Sequence, residues 1–509
     1  MFGIGIVLFS ALFAKTYGGT YSEEGYSVIQ TQEGDYISVG YVVDGYVDFS
    51  VIRFSSDGSL SDAKRFGGSG WDEAYSVAAT QDGGFVVAGE TGSFGVSGFD
   101  FLVMRMASDG SLIWSKTYGA AYMEHPYSII QNSDGGYTVV GETNSIGAGF
   151  SDFLVLRLGS DGSVLWARTF GGENEEEAWS AIETPDGRLV VAGWTDSYGA
   201  GNDDLLILKL NPDGSPIWTK TLGGIGDERA FSVAQAHDGG YVVAGWTGSF
   251  GAGGTDFLVV KLGQDGSLIW AKTFGGNRND WAQSIVATSD GGYLVSGTTF
   301  SFGADSSDAL MIKLGPDGSL IWARRFGGQS YDYAYSSTQA RDGDYVVVGT
   351  TWSFGAGAWD FLVIKIGQNG EYANCVQACY PVSTNVNPTT SSPLMGFICN
   401  LDASSPTLTP TPLNLIAYDI CPTLASQDTK GSSGGPCCFA FSEGAVFFAQ
   451  EPGNLRLYST DGRLICCRHL ETGYNRITLK PGVYIWRASS EPTSSNSRAC
   501  TGRIAIPSR

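Results

Sequence analysis

The first 374 residues of this chain contain no cysteine, and all 509 residues include only three histidines. The missing cysteines exclude a disulfide scaffold or a zinc module from that part of the chain. Basic residues are scarce too: 30 Lys and Arg face 52 Asp and Glu, for a net charge of -22. Nucleic-acid binding needs clustered Lys and Arg whose phosphate contacts release counterions, so that class is excluded. Helix-period apolar stripes are absent, and no run is long enough to cross a bilayer. The segment MFGIGIVLFSALFA, residues 1–14, has the length of a signal-peptide core but lacks a basic start.

What is present is glycine, 72 residues of it, and a 13% aromatic share, a composition suited to short strands and tight turns. An Asp-Gly or Asn-Gly turn recurs at Asp57, Asp109, Asp161, Asp213, Asp265, Asp317 and Asn369, always 52 residues apart. In one copy the runs SIVAT, GYLVSG, DALMIKL and SLIWARRF each have strand length and β-branched or aromatic character. Four strands per repeat make a propeller blade, so seven copies predict an all-β, seven-bladed β-propeller over 13–372. The seventh copy lacks its outer strand, whereas FAKTYGG stands alone at Phe13 to Gly19. This N-terminal strand is expected to complete the last blade and close the ring, removing an exposed sheet edge. Signal cleavage after Ala14 would leave only KTYGG for that closure.

Antiparallel strands alternate between the two faces of the disc. Both tight turns of each blade therefore lie on one face and both long loops on the other, and the long-loop face is the expected binding surface. DGGYVVAGWT at Asp238 to Thr247 and DFLVVKL at Asp256 to Leu262 resemble the secreted bacterial β-propeller repeat family. That resemblance implies an extracytoplasmic propeller and brings no catalytic motif.

Residues 373–438 are rich in Ser, Thr and Pro and contain cysteine, and read as an extended linker. Beyond it, 439–509 alternates like strands and predicts a small β-sandwich in which disulfides add stability. Leu457, Tyr458, Asp461, Gly462, Arg463, Leu464, then Leu479, Pro481, Gly482, Val483 and Tyr484, and the closing GRIAI from Gly502, resemble the type A sorting domain of the type IX secretion system. This resemblance implies the type IX secretion machinery as a partner and a secreted or outer cell-surface location.

Two carboxylates recur on the long-loop side. Glu23, Asp72, Glu124, Glu176, Glu228, Asp280 and Asp332 precede the inner strand; Asp48, Asp100, Asp152, Asp204, Asp256, Asp308 and Asp360 open the third strand. One reading is an oxygen ring at the channel mouth that holds Ca²⁺. The favoured one is a local task done seven times, accepting backbone N–H groups where the chain enters a strand. No DxDxDG loop supports a high-affinity calcium site, and no other cofactor is implied. Trp71, Trp194, Trp246, Trp281, Tyr331, Trp352 and Trp359 do not recur in every blade and fall near long loops, where flat rings stack on sugars. Packing against the neighbouring blade is the structural alternative.

His125 is the one irregularity among the repeated acids, and no nucleophile or metal constellation surrounds any histidine. The expected function is a binding or adhesion protein engaging a polysaccharide or a surface protein. The alternatives are an extracellular carbohydrate-active hydrolase or lyase, and a structural surface component. Among the acids, no pair stands out as catalytic.

Overall fold

The computed structural model describes residues 12–96, 98–303, 306–356 and 358–371, and further along the chain the backbone of strands between 376 and 506. Blade 2 shows the unit. Asp72–Ala79, Phe85–Thr91, Asp100–Met106 and Leu112–Gly119 pair antiparallel in chain order, from the axis outward. Seven such four-stranded sheets follow one another around the ring. In blade 7 the fourth strand is Phe13–Gly18, paired antiparallel with Asp360–Ile366, Phe13 opposite Lys365 and Tyr17 opposite Phe361. The ring therefore closes as its missing outer strand requires. Residues 1–11, which carry most of the expected signal segment, lie outside the described residues.

The tight turns follow from local chemistry. Gly110 sits at φ 75°, a left-handed conformation that costs a residue with a Cβ about 1–2 kcal/mol, and Asp109 accepts the Ser111 N–H at 2.9 Å. The core lies between blades rather than at a common centre. Phe101, Val103 and Tyr118 of blade 2 pack against Tyr137, Leu154 and Leu156 of blade 3. Third strands such as Asp152–Leu158 are buried along their whole length, since a blade covers each of their faces. Fully burying one such Leu or Phe contributes about 1.5–3 kcal/mol.

Each inner strand carries a bulge at the same place, as between Ala74 and Ser76 or Pro126 and Ser128. A bulge leaves one residue unpaired and re-aims its side chain. Here the extra residues are Tyr26, Tyr75, Tyr127, Trp179, Phe231, Gln283 and Tyr335.

Beyond the seventh blade, short strands add to the outer edge of every sheet in reverse blade order. Val376–Ala378 pairs with blade 6, Val382–Asn385 with blade 5, Thr389–Ser391 with blade 4 and Phe397–Ile398 with blade 3. Asp402–Ser404, Thr411–Pro412 and Ile416–Asp419 then reach blades 2, 1 and 7. The chain thus lays a belt over edges that would otherwise present unpaired N–H and C=O groups.

Cys421–Arg509 forms a second compact unit. Its backbone makes a three-stranded sheet, Cys437–Phe441, Gly444–Ala449 and Gly473–Thr478, and a four-stranded one ordered Leu464–Leu470, Gly453–Ser459, Gly482–Ser490, Ala499–Ile506. The cysteine side chains lie outside the described residues. Among the described residues no helix is long and apolar enough to cross a membrane.

Candidate ligand-binding face

The repeated carboxylates sit at seven separate blade junctions. In every blade the first one accepts the N–H four residues upstream, as Glu176 does from Gly172 at 2.7 Å and Asp280 from Gly276 at 2.9 Å. In blades 2 to 7 it also accepts a threonine hydroxyl from the second strand, Thr195 to Glu176 at 2.6 Å and Thr247 to Glu228 at 2.6 Å. The second carboxylate accepts a loop N–H, Ala148 to Asp152 at 2.9 Å and Ala200 to Asp204 at 2.8 Å. Glu23, Asp72, Glu124, Glu176, Glu228, Asp280 and Asp332 are buried between blades rather than presented to the axis. Burial pushes Glu23 up to about 7, and burial together with the Glu124 charge pushes Asp100 up to about 6. Among the described residues no three His, Cys, Asp or Glu side chains form a group that could hold a metal.

The residues that differ between blades lie one position further along. After the first carboxylate come Glu24, Glu73, His125, Glu177, Arg229, Trp281 and Tyr333. Across the strand pair each faces, in the same order, Tyr41, Glu90, Glu142, Trp194, Trp246, Thr298 and Thr350. Blades 1 to 4 thus supply five carboxylates, a histidine and the rings of Tyr41 and Trp194 to one side of the channel mouth, and blades 5 to 7 supply three aromatic rings, two threonines and Arg229, with no carboxylate, to the other. Beneath this layer the bulged residues form an aromatic collar. Tyr26 lies 5.1 Å from Tyr335 and 5.5 Å from Tyr75, Tyr127 stacks on Trp179 at 4.0 Å, and Trp179 meets Phe231 at 4.8 Å. Gln283 interrupts it in blade 6.

The collar and the acids are bonded to each other. Tyr41 donates to Glu24 at 2.5 Å, Tyr75 and Trp71 donate to Glu73 at 2.8 and 2.6 Å, and Trp179 donates to Glu177 at 2.9 Å. Burial, reinforced by the Glu90 and Glu24 charges, pushes Glu73 up to about 7, and burial with the Glu142 charge does the same to Glu177. His125 bonds Glu90 of the preceding blade through Nδ1. Burial opposes its charge, but Glu90, Glu142 and Glu177 outweigh that, and its pKa is raised. Arg229 ion-pairs with Asp203 at 2.6 Å and lies 3.9 Å over the ring of Trp194.

The aromatic residues singled out in the sequence divide. Tyr331, Trp352 and Trp359 come together in blade 7, Trp352 lying 5.2 Å from Trp359 and 6.2 Å from Tyr331, with Tyr333 5.7 Å from Trp359. Trp352 is 50% exposed, so this cluster is an open shelf. Trp194 is only 1% exposed, under Arg229, and presents no ring to solvent. Trp246 and Trp281 are half-buried, and Trp281 donates to Thr255 at 2.7 Å. Trp71 is exposed but makes no ring contact with the shelf among the described residues. Sequence reasoning missed Glu24, Glu73, Glu90, Glu142, Glu177 and Arg229. The signal that marks them is a polar inner-strand position changing identity from blade to blade inside an otherwise repeated motif.

A cavity of about 340 Å³ opens on the other, tight-turn face, lined by Asn132, Arg157, Trp166 and Glu183. It is distant from the aromatic shelf and from the acids of the mouth.

A family model described as a domain of unknown function (DUF5122) β-propeller matches residues 133–164, 184–216 and 237–268. The chain is 26% identical over 187 residues to the regulatory protein FlaEY of Caulobacter vibrioides, a match covering 31% of this chain and 20% of that protein, so the chain spans about a fifth of its relative. Among solved structures, the periplasmic gluconolactonase of Pseudomonas aeruginosa is 13% identical with a TM-score of 0.40, over 77% of this chain and 99% of that one. The extracellular domain of a putative one-component system from B. thetaiotaomicron is also 13% identical, with a TM-score of 0.39 over 98% of this chain and 58% of that one.

Proposed function

We propose that this chain is an exported binding protein whose long-loop face engages a carbohydrate. The observation that carries the reading is the asymmetry of one mouth: carboxylates on blades 1 to 4, and flat rings on blades 5 to 7 that open onto the shelf of Tyr331, Trp352 and Trp359. A sevenfold scaffold needs the same residue in every blade only for its own packing, so a departure from the repeat at the mouth is where a ligand of lower symmetry is read. Rings stack on the apolar faces of sugars, and carboxylates accept hydroxyl hydrogen bonds. A surface protein is the second class of ligand the same face suits.

A glycan array tests the reading. The wild-type chain is expected to bind a defined set of polysaccharides, and Trp352→Ala to lose at least tenfold in affinity while keeping its melting temperature. Binding untouched by Trp352→Ala contradicts the shelf as the site. Absence of binding to any glycan or surface protein favours a structural surface component. Shortening of a bound chain identifies a carbohydrate-active hydrolase or lyase.

The export half of the proposal rests on the residues of 439–509 that resemble a type IX sorting domain, and it carries with it a C-terminal β-sandwich, disulfides, a cleaved signal and the type IX secretion machinery as partner. Fractionation with intact-mass analysis tests it: a surface or released protein trimmed at both ends is expected, and an untrimmed cytoplasmic chain contradicts it.

A further inference from the structure

Four blade junctions hold buried negative charge without a cation. Asp100, Asp152, Asp204 and Asp256 are each 1% exposed, and each accepts a loop N–H at Oδ2 while Oδ1 has no hydrogen-bond partner. Beside each Oδ1 lies the carboxylate that opens the next blade, as the intervening glycine shows. A methyl built on Gly171 would lie 2.1 Å from Oδ1 of Asp152 and 2.4 Å from Oε2 of Glu176. On Gly223 the same distances are 1.6 Å to Asp204 and 2.7 Å to Glu228, and on Gly275 they are 1.8 Å to Asp256 and 2.8 Å to Asp280. On Gly119 they are 1.3 Å to Asp100 and 2.9 Å to Glu124. Among the described residues no Lys or Arg forms an ion pair with any of these eight acids.

Two other junctions carry their own cation. Arg325 bonds Asp308 at 2.7 Å in blade 6, and in blade 1 Arg65 lies 3.8 Å from Asp48. These arginines occupy the outer-strand position that holds Thr117, Thr169, Thr221 and Thr273 in blades 2 to 5: Arg325 faces Leu310 as Thr169 faces Leu154. The threonine therefore lies on the sheet face that carries the unpaired carboxylate. The hydroxyls of Thr169 and Thr273 are buried without a partner. Two carboxylates buried side by side cannot both stay ionised without a positive charge between or beside them. A shared proton would satisfy the two carboxyls but leave those hydroxyls unpaired. A hard cation takes all three kinds of oxygen, and the donor set contains no nitrogen or sulfur.

We propose that the junctions Asp152/Glu176 and Asp256/Asp280 each bind one divalent cation of the calcium class, tying consecutive blades together where blades 1 and 6 use arginine. The sites are two separate clamps between sheets rather than a ring around the channel, and they are independent of the carbohydrate reading. The test compares full-length protein stripped with a chelator against the same protein with millimolar CaCl₂ at constant NaCl, reading metal content by mass spectrometry and melting temperature. Two equivalents bound in the propeller and a melting temperature raised by several degrees are expected. Because removing an acid also removes the hydrogen bonds that hold the loops at the junction, the decisive variants are Thr169→Arg and Arg325→Thr. The first is expected to stay folded and lose one equivalent, the second to gain one. Unchanged stoichiometry in both variants overturns the proposal. So does a stripped protein that melts at the same temperature with and without CaCl₂ while losing stability as pH rises, which assigns the pairs to shared protons.

Discussion

The strand Asp280–Ala287 meets two different electrostatic settings at its ends. Just past its tight-turn end, Asp290 faces the ammonium of Lys313 at 2.9 Å, and burial, which would raise the carboxyl, is overcome by Thr288 and Lys313, so its pKa falls to about 2. At the long-loop end, Asp280 faces Asp256 with no cation. The difference repeats around the ring. Asp82 with Arg105, Asp134 with Arg157, Asp238 with Lys261 and Asp342 with Lys365 balance charge at the tight turns, each cation reaching out from a buried third strand. The tight-turn end is therefore electrostatically closed, and the long-loop end keeps unbalanced acids both at the junctions and at the mouth. A repeat fold can settle its stability at one end and leave the other free to acquire a ligand.

The contrast breaks most visibly through glycine. Gly171→Ala places a methyl against the carboxylates of Asp152 and Glu176, both buried and held in place by loop N–H groups, so a loss of at least about 3 kcal/mol, or failure to fold, is expected in urea denaturation. At the tight-turn end, Gly135 has φ 85° and nothing within 4 Å of an added Cβ, so Gly135→Ala is expected to cost only about 1–2 kcal/mol, from the backbone conformation alone. Equal costs would show that the two ends are packed alike.

A smaller effect comes from Glu73 at the mouth. Its pKa in the folded chain is about 7, above the ordinary value of 4.5, so the stability it contributes is full below pH 4.5 and is lost as pH rises through 7. Glu73→Gln keeps a neutral side chain at every pH. It is expected to match the parent near pH 4 and to exceed it by about 3 kcal/mol at pH 8, measured by denaturant titration at both.

The smallest effect is at the balanced end. Lys313→Met removes an ion pair whose acid is 57% exposed, so a loss under about 1 kcal/mol is expected near pH 6. Asp290 is depressed, so its contribution is present above pH 4 and disappears as pH falls through 2. The gap between parent and variant is expected to close over that range in thermal melts.

Much of this scaffold is legible in the amino-acid order. The 52-residue spacing of the Asp-Gly turns, the alternation within DFLVVKL, and an outer strand missing after Gly370 but present at Phe13 lead to a closed ring of seven four-stranded blades. The repeated acids were also visible, with their backbone-accepting role. The mouth was legible only at His125, because attention to what recurs passes over Glu73, Glu177 and Arg229, which matter by failing to recur. Trp194 misled for a related reason: its unrepeated position suggested an exposed ring, but cross-strand Glu177 and neighbouring Arg229 seal it. The closeness of Asp152 to Glu176 depends on a blade-to-blade contact across 24 residues, which no local pattern encodes.

The most direct test that the long-loop end is the working end is hydrogen–deuterium exchange of the full-length chain with and without the polysaccharide found by the array. Slowed exchange is expected at the starts of the inner strands and in the long loops, including Tyr331 to Tyr335 and Trp352 to Trp359, with the tight turns unchanged. Protection confined to the tight turns, around Asn132 and Glu183, would contradict the account.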